Sequence, residues 1–223
     1  MIIKMTLNLK KLNKPRALST SQLTCYKSCP RKYNWQYIKR MRPLVTSDAL
    51  NNGLTTHNLI AQGIFDLNYD PDIHASLQIA KAYLEKSGPQ SDRLMEYKIF
   101  GTILDKHNAV GIMDVIWPFK SHITDWKGGV DKQYKRFGYD IQAYIYTKLF
   151  EQEFGKPLES FDFVFFGDNS IYQPKITSDK FLSKNENRIA DILKQIEEDK
   201  EFNRIRSPLC NYCQYQPICE AFE

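Results

Sequence analysis

Two aspartates eleven positions apart, Asp114 and Asp125, and a lysine two positions beyond the second, Lys127, are the residue types here that most directly suggest a reaction. Side chains alternate along a strand, so Asp125 and Lys127 share a face while Trp126 points the other way. The same alternation puts Val110, Ile112, Asp114 and Ile116 on one face of the preceding strand. A carboxylate among apolar neighbours is costly to bury unless its charge is compensated. With the two strands adjacent, Asp114, Asp125 and Lys127 converge. Two carboxylates with an open position suit Mg²⁺ or Mn²⁺, hard ions that take oxygen ligands and keep several waters. A metal so held polarises a phosphoryl oxygen and lowers the pKa of a bound water. A neighbouring lysine orients that water or stabilises developing charge. A lone Asp-x-Lys triplet is most often a plain ion pair. The added weight here comes from Asp114, in a glycine-bearing strand that turns directly into the next.

The second constellation is sulfur. Cys210-x2-Cys213-x5-Cys219 packs three thiols into ten residues, and Cys25 and Cys29 are the candidates for a fourth ligand. Thiolate sites of this type hold zinc or an iron–sulfur cluster, and spacing leaves both open. No secretory core follows the short apolar stretch Met1–Met5, so a reducing, cytoplasmic setting is expected, where clustered cysteines more often bind metal than form disulfides.

The elements that must position these groups read as follows. Ser19, with Gln22 three residues on, offers the start of a helix toward Ser28, interrupted at Pro30. Residues 31–40 resume it, with Tyr33, Trp35 and Tyr37 among basic residues. These rings are either core or, for one or two of them, platforms for unpaired bases. Leu50, Leu54, His57, Ala61 and Ile64 form one stripe of an amphipathic helix that carries His57. A helix over 72–86 follows, closed by Gly88-Pro89. Strands are predicted over 93–104, 109–117 and 121–127, and Gly128-Gly129 breaks the last. A helix over 136–154, a hairpin of 161–166 with 171–174, and a helix over 178–201 complete the order. That order favours an α/β (α+β) fold, a mixed central sheet flanked by helices. With 223 residues, one domain is expected, spanning 1–223, with a basic helical segment at 1–47 and a cysteine-rich segment at 202–223.

The string Gly111-Ile112-Met113-Asp114-Val115, then Thr124-Asp125-Trp126-Lys127, then Gln142 with Tyr146 four residues on, resembles the RecB-type branch of the PD-(D/E)XK nucleases. The upstream His57 fits that branch too. The resemblance implies a restriction-endonuclease-like sheet. It makes His57, Asp114 and Asp125 metal ligands, Lys127 the catalytic lysine, and Gln142 and Tyr146 positioning groups. Glu96 matches an acidic position of part of the family. Met113 stands where the superfamily name has proline, and Gly128 where Thr or Ser is usual, which bears on loop geometry more than on chemistry. Cys29-Pro30-Arg31-Lys32-Tyr33 with the three C-terminal cysteines resembles the iron–sulfur subset of the same branch, which includes AddB-type helicase-nucleases and small CRISPR-associated nucleases. This implies a structural four-iron, four-sulfur cluster on Cys29, Cys210, Cys213 and Cys219, with Cys25 spare.

Charge agrees with a polyanionic partner. Eleven of the 31 basic residues and none of the 26 acidic ones lie before Asp48, so the net +5 hides a basic segment on an acidic body. Each phosphate neutralised by such a segment releases counterions. Arg31, Lys32, Lys39 and Arg40 are the expected phosphate contacts. No apolar run is long enough to span a bilayer. The expectation is a Mg²⁺- or Mn²⁺-dependent deoxyribonuclease, an exonuclease on single strands or ends, with DNA and a helicase, recombinase or integrase complex as partners. Recombination, repair, phage DNA metabolism and CRISPR adaptation are the settings the resemblance implies. A DNA-end-binding subunit with vestigial activity and a zinc-bearing nucleic-acid protein are the competing readings.

Overall fold

The computed structural model describes residues 17–45, 48–67 and 70–220. The lead-in with Lys4, Lys10, Lys11, Lys14 and Arg16 lies outside them. The chain forms helix α1 (Thr20–Ser28), α2 (Pro30–Tyr33) continued by one π-helical turn (Asn34–Ile38), α3 (Asp48–Ala61) and α4 (Pro71–Ser87). Strands β1 (Leu94–Ile103), β2 (His107–Trp117) and β3 (His122–Lys127) come next. Helix α5 (Arg136–Phe154), strands β4 (Ser160–Phe165) and β5 (Ile171–Tyr172), and helix α6 (Asp179–Glu198) follow. The sheet order is β1-β2-β3-β4-β5. Among these strands β3 and β4 run parallel, which their connection through α5 allows, and the other neighbouring pairs run antiparallel.

Local chemistry explains the boundaries. The Asp70 carboxylate accepts from the N–H groups of Asp72 and Ile73, and Pro71 opens α4. Gly155 ends α5 at φ +65°. The expected capping box of α1 does not form: Ser19 makes no side-chain cap bond, because the Gln22 amide donates back to the Ala17 carbonyl at 3.0 Å.

Two apolar layers sandwich the sheet. On one side Ile141, Ile145, Leu149 and Phe150 of α5 meet Met113, Ile116, Ile123 and Phe163, joined by Leu23 of α1 and Ile189 of α6. On the other side Ile73, Leu77 and Leu84 of α4 and Ile60 of α3 meet Val115, Trp117, Trp126 and Val164. Trp126 and Lys127 therefore do face opposite ways. Tyr33 and Trp35 are buried and Tyr37 packs on the core, so these rings are structural rather than base platforms. The stripe expected on α3 is not its buried face. Leu54 is 59 % exposed, Leu50 falls outside the described side chains, and Thr56 and Ile60 are the buried positions.

The alternation assumed for β2 also fails. Met113 and Ile116 pack on the same side of the sheet although they are three positions apart, while Val115 and Trp117 pack on the other and Ile112 is 48 % exposed. The face switches at Asp114. Opposite it on β1, Glu96 adopts φ +47° and drops out of the ladder, whose pairs run Met95 with Val115 and Tyr97 with Met113.

At the far end of β3, burial holds the His122 pKa below its ordinary value, against the pull of Asp162. The ring meets Ser160 Oγ at 2.7 Å, Thr124 Oγ1 at 3.1 Å and the Tyr83 hydroxyl at 3.2 Å. Its native pKa lies below its unfolded one, so the stabilisation is complete above about pH 6.5 and is lost as pH falls through the native value. Thermal melts should thus show a Tm that drops between pH 7 and pH 5, and a smaller drop in His122→Gln.

Candidate active site

The β2–β3 ladder is short. Val115, Ile116 and Trp117 pair with Thr124, Ile123 and His122, and no further pair is formed. Asp114 and Asp125 are the next positions in register, so they lie side by side where the strands fork. Both are buried, at 7 % and 3 % exposure. The Asp114 Oδ2 accepts from the Trp126 backbone N–H at 2.7 Å, which ties the two strands at the fork. Its other oxygen lies 3.3 Å from His57 Nδ1, delivered by α3, and Glu96 Oε1 lies 4.0 Å from the same nitrogen.

His57, Glu96 and Asp114 each offer a ligand atom within 4.8 Å of the others. One imidazole and two carboxylates form a donor set for a hard divalent ion. The sequence places His57, Asp114 and Asp125 in this role. The structure places Glu96 beside His57 and Asp114, and Asp125 next to them is paired with Lys127 and Gln142. Asp125 forms an ion pair with Lys127, and its Oδ1 accepts from Gln142 Nε2 at 2.6 Å. Lys127 Nζ in turn donates to Gln142 Oε1 at 3.0 Å. Gln142 thus bridges both members of the pair. Tyr146, one turn on, donates its hydroxyl to the Ile112 carbonyl at 2.7 Å and braces β2. Its ring fills the space over Gly111, where a Cβ would come within 2.8 Å of Cε1. That contact accounts for the glycine in the motif.

Excess negative charge dominates the site. Burial pushes the Asp125 pKa up to about 6, with Asp114 adding to the rise. Glu96 is raised by burial and by Asp114. Burial opposes the charge on Lys127, but Asp125 and Asp114 outweigh it and raise its pKa. His57 is raised in the same way, chiefly by Asp114. All four shifts favour uptake of positive charge, which a divalent cation also supplies. Glu96 reaches the group only through its left-handed backbone, a conformation that costs a non-glycine residue of order 1 kcal/mol. No sequence signal marks that kink. Substituting Glu96→Gln should reduce the Mn²⁺-induced rise in Tm and leave the metal-free Tm unchanged or higher, because one member of a repelling carboxylate group is neutralised.

Among the described residues no three cysteine sulfurs approach within 4.8 Å, so no tight thiol cluster is formed. Cys29, Cys210, Cys213 and Cys219 instead line one cavity of about 40 Å³, together with Arg31 and Lys32. Cys25 is absent from its walls, and burial raises that thiol to about 11. The C-terminal segment closes on the N-terminal one: Tyr215 donates to the Met41 carbonyl at 2.9 Å, and Arg31 reaches the Phe202 carbonyl at 3.1 Å and Glu220 at 3.3 Å. Arg31 and Lys32 therefore face the thiols, while Lys39 and Arg40 are exposed.

A family model described as the PD-(D/E)XK nuclease superfamily matches residues 17–109 and 81–220. The crystal structure of SSO0001 is similar in fold, with a TM-score of 0.51, 16 % identity, and 96 % of this chain and 92 % of that one covered. No curated sequence matches the chain.

Proposed function

We propose that this chain, which belongs to the PD-(D/E)XK nuclease superfamily, hydrolyses DNA phosphodiester bonds with Mg²⁺ or Mn²⁺, acting as an exonuclease on single strands or ends. The observation that carries the reading is the fork at Asp114 and Asp125, with the His57, Glu96 and Asp114 group on one side and the Asp125–Gln142–Lys127 chain on the other. A bound divalent ion supplies charge stabilisation at a phosphoryl oxygen. Lys127, kept charged by its two aspartates, stabilises negative charge that builds on the scissile phosphate. Gln142 holds Lys127 and Asp125 in one geometry, and Tyr146 holds β2 beneath them. Asp125, beside Asp114 at the fork, would join the residues that hold such an ion.

Four cysteines from two distant segments line one cavity, which supports a single metal group shared between them, and the resemblance to the iron–sulfur subset makes that group a four-iron, four-sulfur cluster. Its role is structural, joining segments 1–47 and 202–223 of a single domain. Arg31, Lys32, Lys39 and Arg40 remain the proposed phosphate contacts on that side. A helicase, recombinase or integrase complex is the proposed partner class.

The test is incubation of anaerobically purified protein with Mn²⁺ and single-stranded DNA labelled at either end. Progressive shortening from one end is the expected result. No cleavage with any divalent ion would sink the reading in favour of a DNA-binding subunit.

A further inference from the structure

A second feature opens beside Lys127. A groove of about 1030 Å³ runs from Lys127 and Gln142 past β1 and β2 and the start of α1 to Leu209. It exceeds the usual span of small-molecule pockets. Among the described residues its walls contain four lysines, Lys27, Lys98, Lys127 and Lys135, and no aspartate or glutamate. On a chain whose body is acidic, that exclusion marks a surface built for an anion.

The groove also presents aromatic rings to solvent. Phe100 is 64 % exposed and Tyr134 is 75 % exposed. Neither is explained by packing. Phe100 stands on the outer face of β1 next to Lys98, whose Nζ lies 4.9 Å from the ring centroid. Tyr134 and Lys135 sit on a short turn that is pinned rather than loose. The Arg136 guanidinium bonds the Asp131 carboxylate at 2.5 Å, and the Asp131 N–H donates to Asp168 at 3.3 Å. Phe100 therefore stands beside a cation, the turn that carries Tyr134 is tied down at Asp131, and both rings are exposed.

We propose that this groove is a track for single-stranded DNA, in which Phe100 and Tyr134 stack on bases while Lys27, Lys98 and Lys135 hold phosphates. The proposal rests on the nuclease reading for the identity of the polyanion, and continuity with Lys127 sets the direction of the strand toward the fork. Stacking platforms interleaved with cations bind unpaired bases, whose faces are free, whereas a duplex offers only edges and phosphates. This places the principal substrate contacts on β1 and the 131–136 turn, away from Arg31 and Lys32, which face the cysteines.

The experiment compares wild-type protein with the Phe100→Ala/Tyr134→Ala double variant in EDTA, so that binding is read without cleavage. The probes, read by fluorescence anisotropy, are labelled oligo(dT) of about 15 nucleotides, an abasic sugar-phosphate oligomer of the same length, and a duplex. Wild type should prefer oligo(dT) to the abasic oligomer. The double variant should lose about tenfold or more in oligo(dT) affinity per ring, bind the two single strands alike, and bind duplex as before. An unchanged preference in the double variant, or no preference in wild type, overturns the proposal. So does a wild-type dimer in sedimentation that the double variant dissolves, since the rings would then face a second copy. Cleavage of DNA by wild type with Mn²⁺ is scored separately, so failure of the groove and failure of the nuclease reading are told apart.

Discussion

Asp114→Asn is expected to lower DNA hydrolysis by roughly a thousandfold while the fold survives. The amide keeps an acceptor for the Trp126 N–H, so the tie between β2 and β3 remains. What disappears is one carboxylate charge from a group that also includes Glu96 and Asp125. Loss of several kcal/mol of metal-borne charge stabilisation corresponds to about three powers of ten in rate. The metal-free protein should melt no lower than wild type, because charge repulsion is relieved. The Tm increase that Mn²⁺ gives the wild type by mass action should be absent. Lys127→Ala should also remove cleavage, but for a different reason, and with a stability cost: it leaves Asp125 buried without its cation. Unchanged cleavage in both variants would refute the assignment.

Cys213→Ser should cost far more stability than its exposure suggests. Thiolate ligation of a cluster makes metal-binding free energy part of folding free energy. Because residues of both chain segments line the cavity, its loss frees the 202–220 segment from Trp35, Met41 and Arg31. We expect a loss of at least about 3 kcal/mol, or roughly 10 °C in Tm. Broad absorbance near about 400 nm should disappear with it. Ser28 and Leu209 line both this cavity and the groove, so DNA binding should weaken as well. Cleavage lost with Tm and DNA binding intact would instead give the cluster a direct catalytic role. Anaerobic protein that is colourless and contains zinc would exclude iron–sulfur.

Particular residues show how far the sequence reaches. The strands, the long helices and the hairpin were legible because their signals are local: hydrophobic period, Gly88-Pro89 at a helix end, Gly128-Gly129 after a strand. Asp125, Lys127 and Trp126 were placed on their correct faces by alternation, and Gln142 with Tyr146 by helical spacing. The pairing of Asp114 with Glu96 was not. Alternation gave Asp114 the face of Ile112, and the backbone reverses that at the one kinked residue of β1. Strain of this kind comes from the neighbours that impose it and leaves no pattern along the chain.

Residue type, spacing and the resemblance they carry thus sufficed for the nuclease superfamily and for a candidate set of site residues, since those motifs are short and local. That Glu96 joins His57 and Asp114, that cysteines of both chain segments share one cavity, and where the groove beside Lys127 runs depend on contacts between distant segments. His57 comes from α3, Glu96 from β1 and Asp114 from β2. The groove joins α1, β1, β2 and the 131–136 turn. Only packing brings those together, and packing acts through volume and burial rather than through order along the chain.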